Sequence, residues 1–378
     1  MVSAHRPRRI RWTRRYSVAV GAVAVAGLVL AISAFAGSGK PRTNNANLVS
    51  DVGTAKIHDS KLVNAWGLSF GPNTPAWVSD NGTDTSTLYQ GYNANTNQVQ
   101  KVPLNVSIPG GEPTGTVFNG SSAFVVHGGG HSAPADFLFD SEAGKITAWS
   151  QTVPPLTQAR VMKSVPGAVF KGLAIGKAGG KQRLYATDFH GARVDVFNGN
   201  FGMVHQKGAF RDRRIPNGYA PFGIQNVRGK IFVTYAKQDA MGEDDVKGPH
   251  HGFVDIYSTK GKLLDRFARR GDLNSPWGIA RAPKGWAHVG GDMLIGNFGD
   301  GWINVFNRKT GHEVGPITTK RGFVRRIDGL WALEFGNGVL GTPQTLLYTA
   351  GPNDENHGLL GALRPLKSTG GGGGGGGY

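Results

Sequence analysis

Residues 276–280 read Pro-Trp-Gly-Ile-Ala, and a short apolar strand opening of this kind recurs through the whole chain. Its counterparts along the sequence begin at Ala65, Pro113, Lys171, Pro221 and Leu330. Successive openings lie about 50 residues apart, a spacing typical of propeller blades rather than of helical repeats. The sequence therefore predicts an all-β fold, a six-bladed β-propeller built from four-stranded antiparallel blades.

Each repeat continues with short runs that are rich in β-branched and aromatic residues and are bounded by turn-forming residues. The last repeat lacks a fourth run, whereas residues 47–51 form a strand-like run before the first repeat. We expect residues 47–51 to pair with the last blade, because this pairing closes the ring and removes an exposed strand edge. The propeller is thus predicted to be a single domain over residues 47–366.

The N-terminal segment, residues 1–36, combines six arginines with an apolar run over residues 18–35 and ends in Ala34-Phe35-Ala36. This order is typical of an export signal peptide, and an uncleaved signal anchor is the alternative. Residues 37–46 are predicted to be a linker, and residues 367–378 a Gly-rich disordered tail. We expect an exported protein that is periplasmic, attached to the cell surface or secreted.

The chain has 378 residues, no Cys and a formal net charge of +17. The lack of Cys excludes disulfides, thiol catalysis and thiolate metal sites. Beyond the N-terminal segment the basic residues are scattered, whereas a nucleic-acid-binding protein collects them on one face. We therefore expect a monomer that binds a small ligand or a cell-envelope partner, binds no nucleic acid, and contacts a membrane only through an uncleaved signal segment.

In a propeller, the start of each innermost strand and the end of each second strand lie on the same face of the ring. Four residues just before the innermost strands carry oxygen donors that could surround a divalent cation such as calcium: Asn64, Glu112, Asn274 and Asp328. The residues that end the second strands form a predicted channel-face binding set: Asp80, Asn81, His127, Asp188, His190, Gln238, Asp239, Asn297, Asp300, Asn353 and Asp354. Turn formation by Asn and Asp accounts equally well for many of them.

Two members of this set, Asp188 and His190, are the candidate catalytic residues, because a turn does not require an imidazole. His127 and His131 flank three glycines, and a flexible loop is the simpler interpretation there. The sequence contains no nucleophile elbow of the Gly-x-Ser-x-Gly type and no phosphate-binding loop.

Several short sequence motifs resemble those of a known family, among them Val-Ser-Asp-Asn-Gly-Thr at 78–83 and Gly-Asn-Phe-Gly-Asp-Gly at 296–301. Over about residues 47–350 the chain resembles an uncharacterised family of exported bacterial six-bladed β-propeller proteins. More distantly it is similar to NHL-repeat proteins and to lactonase/phosphotriesterase-like propellers such as gluconolactonase, paraoxonase and strictosidine synthase. The lactonase resemblance implies a channel cation held by Glu, Asn and Asp, with Asn64, Glu112, Asn274 and Asp328 as the counterparts.

These features favour an exported binding or scaffold protein that uses the channel face of the propeller. The alternative is a metal-dependent hydrolase of lactones or esters that uses a calcium-like cation. An oxidoreductase with a quinone or copper in the channel is a third interpretation, and it rests on the histidines alone.

Overall fold

A computed structural model describes residues 40–93 and 96–366. The predicted signal segment, residues 1–36, and the predicted tail, residues 367–378, lie outside the described residues. The described chain consists of strands, turns and two short 3-10 segments, Asn81–Thr83 and Trp286–His288. In these two described ranges, no helix is long and apolar enough to cross a membrane.

The first half of the propeller contains three antiparallel sheets, blades A to C, preceded by β1 (Arg42–Ser50) and β2 (Ile57–His58). Blade A contains β3 (Ala65–Ser69), β4 (Ala76–Asp80), β5 (Thr85–Gly91) and β6 (Val99–Ser107). Blade B contains β7 (Pro113–Phe118), then a hairpin of β8 (Val125–Gly128) and β9 (His131–Pro134), and then β10 (Phe137–Ser141), β11 (Lys145–Trp149) and β12 (Arg160–Ser164). Blade C contains β13 (Phe170–Ala178), β14 (Lys181–Asp188) and β15 (Arg193–Asn198), with an isolated bridge from Phe197 to Met203 in the position of a fourth strand.

Blades D to F complete the ring. Blade D contains β16 (Tyr219–Val227), β17 (Lys230–Lys237), β18 (Phe253–Ser258) and β19 (Leu263–Arg269). Blade E contains β20 (Pro276–Arg281), β21 (Met293–Asn297), β22 (Ile303–Phe306) and β23 (Glu313–Pro316), and the short β24 (Thr318–Thr319) follows it. Blade F contains β25 (Leu330–Phe335), β26 (Leu346–Ala350), β27 (Leu359–Pro365) and the N-terminal β1. The predicted six-bladed propeller is confirmed.

The ring closes through β1, which lies antiparallel to β27 from Thr43 opposite Pro365 to Ser50 opposite Leu359. This confirms the predicted closure. The strand begins at Arg42, so residues 42–46, predicted as linker, belong to the sheet. Their polar side chains have structural partners, since the Tyr348 hydroxyl donates to Asn45 Oδ1 at 2.8 Å.

Six apolar clusters of the core lie between the blades, one between each pair of neighbours. Between blades A and B, for example, Trp77 stacks on Phe137 with the ring centroids 4.4 Å apart. This arrangement arises because successive side chains of a strand point to opposite faces of the sheet, and each face packs against a neighbouring blade. Every blade therefore depends on the blades on either side of it, and the ring is stable only when it is closed.

We predict that deleting residues 1–51 gives aggregated or misfolded protein, because it exposes the edge of β27 and removes Leu48 and Val49 from the cluster between blades F and A. Deletion of residues 1–39, which keeps β1, serves as the control and should give a soluble protein with a cooperative thermal transition. Size-exclusion chromatography and thermal unfolding followed by circular dichroism check both variants. A monomeric, cooperatively unfolding protein without residues 1–51 would contradict the role of β1.

Candidate functional site

The upper face of the propeller is the face on which the innermost strands β3, β7, β13, β16, β20 and β25 begin. Just inside it, five aromatic side chains from five blades meet on the ring axis: Trp66, Phe189, Phe222, Phe298 and Trp331. We call them the central aromatic cluster. Trp331 lies between Trp66 and Phe298, with ring centroids 3.8 Å and 3.9 Å away. All five rings are buried, so they form the floor of the upper channel mouth.

Lys171, the first residue of its repeat, lies directly above this floor, and its side chain is only 2% exposed. Its Nζ donates to Glu142 Oε1 and to Asp244 Oδ1, the latter at 3.1 Å, and lies 5.3 Å from the centre of the Trp66 ring. Burial alone lowers the pKa of a lysine, but attraction to Glu142 and Asp244 outweighs it and raises the pKa of Lys171 above its ordinary value. The buried lysine therefore keeps its charge.

Amide side chains extend this ion pair across the channel mouth. Asn81 donates to Glu142 Oε2 at 3.1 Å, and Asn64 donates to Asn81 Oδ1 at 3.1 Å and to Glu355 Oε2 at 2.8 Å. The Trp331 indole N–H donates to Asn64 Oδ1 at 3.1 Å, which ties the network to the aromatic floor. We call the connected group the Lys171 network: Asn64, Asn81, Glu142, Lys171, Asp244 and Glu355. Its members come from blades A, B, C, D and F.

The loop between β17 and β18, residues 238–252, crosses the upper face. It carries Asp244 to Lys171, and it places Lys247 Nζ 4.3 Å from the centre of the Phe298 ring. The backbone N–H of Gly248 donates to Asn274 Oδ1 at 2.7 Å, which anchors the loop on blade E. The upper mouth is therefore covered by a segment of blade D that contacts its neighbours on both sides.

The Lys171 network contains three carboxyl groups and one ammonium group: Glu142 and Asp244 pair with Lys171, and Glu355 accepts from Asn64. Burial, and then repulsion by Glu142, raises the pKa of Glu355 from its ordinary value. Asp244 and Glu142 are reachable from solvent, with side chains 77% and 21% exposed. The site can therefore attract a further positive charge at its outer edge.

The structure places the four predicted metal ligands in different surroundings. Asn64 belongs to the Lys171 network, where its amide N–H groups face the Asn81 amide oxygen and the Glu355 carboxyl group, and its own oxygen accepts from the Trp331 indole. Asn274 lies on blade E, and its side chain donates to Asp300 at 3.3 Å. Glu112 and Asp328 are exposed. Within the residues that the structure describes, no group of three or more His, Cys, Asp or Glu is arranged to hold a metal ion. The metal-binding role of Asn64, Glu112, Asn274 and Asp328 stays a prediction.

Some of the predicted channel-face residues do meet on the upper face. Asn81 is part of the Lys171 network, and Asn297 donates to Asp300 Oδ1 at 3.2 Å in a smaller polar group that includes Asn274. Gln238 lies at the base of the blade D loop and donates to the carbonyl of Phe189 at 2.7 Å. The other members at loop positions of this face are Asp239, whose carboxylate accepts from backbone N–H groups of its own loop, and the exposed Asn353 and Asp354.

The buried aspartates of the set have structural partners. Asp80 accepts from the Thr87 hydroxyl at 3.1 Å. Asp188, a candidate catalytic residue, accepts from the backbone N–H of Gly191 at 2.9 Å and pairs with Arg193 at 2.6 Å. His190, the other candidate, is exposed, and its Nδ1 lies 3.2 Å from the carbonyl of Met241. These contacts brace turns on the upper face, and the catalytic role of both residues stays a prediction.

His127 lies at the opposite end of blade B. It belongs to the hairpin β8–β9, which follows the far end of β7 and precedes β10, and its Nδ1 lies 2.7 Å from Ser132 Oγ. The inserted hairpin resembles the second strand of a blade in sequence, although β10 is the strand that pairs with β7. The end of β10 leads to Glu142, whose position the sequence pattern for this reason does not predict. Asp244 and Glu355 were missed because each lies several residues beyond the end of its strand.

Two proteins of known sequence are similar to this chain over most of its length. It is 31% identical over 330 residues to the uncharacterized protein R648 of Acanthamoeba polyphaga mimivirus. The aligned region covers 84% of this chain and 78% of R648. It is also 31% identical over 300 residues to the uncharacterized protein L690 of the same virus, and that aligned region covers 76% of this chain and 77% of L690. No family model matches the chain. These relatives are viral, so the bacterial origin implied by the resemblance stays a prediction.

Solved structures with a similar fold share little sequence with it. A putative gluconolactonase aligns with 86% of this chain and 94% of its own, at 14% identity and a TM-score of 0.50. The soluble aldose sugar dehydrogenase of Escherichia coli in its apo form aligns with 86% of this chain and 100% of its own, at 13% identity and a TM-score of 0.50. Similarity at this level of identity shows the propeller fold alone.

We predict that Lys171→Met lowers the free energy of unfolding by about 3 kcal/mol, because it leaves Glu142 without its cation near a buried aromatic floor. The double variant Lys171→Met/Glu142→Gln should recover part of this loss, since no unpaired carboxylate remains. Lys177→Met, an exposed position on the same strand β13, is the control and should stay within about 0.5 kcal/mol of the parent. Urea unfolding measures all three, and equal midpoints for the two single variants would contradict the role of the ion pair.

Proposed function

The chain belongs to the same protein family as the mimivirus proteins R648 and L690, and we propose that it is an exported ligand-binding β-propeller whose upper face holds a positively charged group. The ligand is a small molecule or part of a cell-envelope partner that carries an amino or ammonium group. The observation that carries this proposal is the Lys171 network, in which carboxyl groups from two blades hold one ammonium group above an aromatic floor and a third carboxyl group, that of Glu355, joins through Asn64.

The chain's own lysines support the choice of ligand chemistry. The ammonium group of Lys171 lies between Glu142 and Asp244 and 5.3 Å from the Trp66 ring centre. The ammonium group of Lys247 lies 4.3 Å from the centre of the Phe298 ring. Carboxylates combined with aromatic faces are the usual surroundings of bound ammonium groups. The upper face thus already holds two such groups in the manner that a cationic ligand requires.

The charge balance and the exposure of the site support binding from solvent. The network places one ammonium group, that of Lys171, beside the carboxyl groups of Glu142 and Asp244, and Asp244 is open to solvent. Lys247 is exposed on the loop 238–252, so an incoming cation can replace it over Phe298 without breaking a buried ion pair. The outer edge of the network, at Asp244, is where we expect a ligand cation to make its first contact.

We predict that spermidine, used as a cationic probe, binds the purified protein saturably at low ionic strength in isothermal titration calorimetry. Asp244→Asn should weaken this binding about tenfold, because a charge-assisted contact to the ligand is lost. Asp265→Asn, an exposed position on the outer strand β19 of the same blade, removes the same charge away from the site and should leave the affinity unchanged.

Equal loss of affinity in the Asp244 and Asp265 variants would show attraction to overall charge and would contradict a site at the upper face. The absence of saturable binding in the parent protein would also contradict the proposal. Glu142→Gln offers a second test within the network, and its melting temperature distinguishes loss of binding from loss of folding.

A metal-dependent hydrolase of lactones or esters is the second candidate function. The convergence of carboxyl and amide groups at the upper mouth favours it, because calcium takes oxygen ligands of both kinds. The position between Glu142 and Asp244 holds the ammonium group of Lys171, which a metal ion would have to displace.

Metal analysis and thermal melts distinguish the two functions. If the protein binds ligands without a metal, we predict that neither a chelator nor added calcium shifts its melting temperature and that the purified protein contains no stoichiometric metal. A rise in melting temperature with calcium, reversed by the chelator, would instead support the hydrolase. Lys171→Gln, which frees the carboxyl groups, should increase any such response, because repulsion among them then favours a cation.

A further inference from the structure

The lower face, where the innermost strands end, contains two adjoining cavities. A cavity of about 550 Å³ lies between the lower ends of blades D, E and F, and a second one of about 460 Å³ adjoins it. The two share four lining residues, Gln225, Asn226, Arg228 and Glu334, so they form one continuous depression. We call it the lower basin. It is separated from the Lys171 network by the central aromatic cluster.

Three arginines from two blades line the larger cavity: Arg228 after β16, Arg281 at the end of β20, and Arg308 after β22. Arg281 Nε donates to the carbonyl of Gly291 at 3.1 Å, which holds its guanidinium group in place. Arg308 lies close to the same glycine. A Cβ atom placed on Gly291 would be 3.3 Å from Arg308 Nε and 3.8 Å from Arg281 Nη2. The two guanidinium groups therefore converge on one side of the basin.

These like charges are not matched by ion pairs in the described part of the chain, where the one carboxylate contact to this group is that of Asp292 with the backbone N–H of Arg308, at 3.2 Å. Among the described residues, none of the three arginines forms a salt bridge with a carboxyl group. Burial, followed by repulsion from Arg228 and Arg308, lowers the pKa of Arg281 from its ordinary value. Lys284 adds a fourth cation to the same cavity wall. Converging and unpaired guanidinium groups in a concave site are the arrangement that proteins use to bind phosphate or carboxylate groups.

The inner end of the basin has a different chemistry. Gln225 donates to Glu334 Oε2 at 3.2 Å, and burial raises the pKa of Glu334 to about 7. Ile279 and Phe335 supply an apolar wall beside these groups. A molecule in the basin would thus meet cations at one end and a hydrogen-bonding pair with apolar contacts at the other.

We propose that the lower basin is a second binding site, which takes a small organic anion with its phosphate or carboxylate groups on Arg281 and Arg308. The neutral part of the ligand extends towards Gln225 and Glu334. The size of the basin suits a compact metabolite rather than a polymer, since small-molecule sites commonly enclose about 300–1,000 Å³. The site is independent of cation binding at the upper face.

Pyrophosphate and citrate serve as probes for the two kinds of anionic group, measured by titration calorimetry with the full chain. We expect at least one of them to bind saturably, and Arg281→Gln or Arg308→Gln to weaken that binding by about tenfold or more, because each removes a bidentate contact. Preference for pyrophosphate indicates a phosphorylated ligand, and preference for citrate a carboxylate ligand. Arg213→Gln, which removes an exposed arginine outside the basin, is the charge-matched control and should change the affinity by about twofold at most.

A second measurement separates a binding role from a structural one. Without a ligand, Arg281→Gln should raise the melting temperature, because it relieves repulsion among the arginines, whereas an arginine needed for folding would lower it when replaced. Asp244→Asn at the upper face should leave anion binding unchanged. No saturable binding of either probe, or equal weakening in the Arg213 and Arg281 variants, would overturn the proposal.

Discussion

Trp331 is held between Trp66 and Phe298 on the axis of the ring, and much of the structure depends on this stack. The three rings come from blades F, A and E, so the contact joins strands that are far apart in sequence. Offset stacking and burial of such large rings stabilise the closed ring in addition to the clusters between blades. The stack also separates the upper mouth of the channel from the lower basin.

The two ends of the channel differ in charge because their residues come from different parts of each repeat. The upper face collects the residues before the innermost strands and after the second strands, and there Glu142 and Asp244 pair with Lys171 while Glu355 accepts from Asn64. The lower face collects the residues after the innermost and third strands, and there Arg281 and Arg308 converge. A basic chain thus has a group of carboxyl side chains at one mouth and a group of arginines at the other, so the two binding sites that we propose lie at opposite ends of the channel.

The local sequence predicted the architecture well, because a propeller repeats the same short-range pattern. The openings such as Pro276–Ala280 mark each innermost strand, and the unpaired N-terminal run correctly predicted ring closure with β27. The predicted start of this strand, residue 47, lies too late in the chain, because residues 42–46 also pair in the sheet in spite of their polar composition. Polar residues at a sheet edge resemble a linker until their partners, such as Tyr348, are known.

The candidate site was predictable only in part. The repeat pattern identified the upper face and brought Asn64, Asn81 and Lys171 to attention, because their positions follow from strand order. It missed Glu142, since the inserted hairpin β8–β9 imitates a second strand, and it missed Asp244 and Glu355, which loops of several residues carry to the axis.

By itself, therefore, the sequence determined the blade number, the closure of the ring and the face on which polar residues collect, all of which depend on short-range periodicity. Only the tertiary structure decided which charged groups meet at each mouth, because loop paths and contacts between distant blades determine those distances.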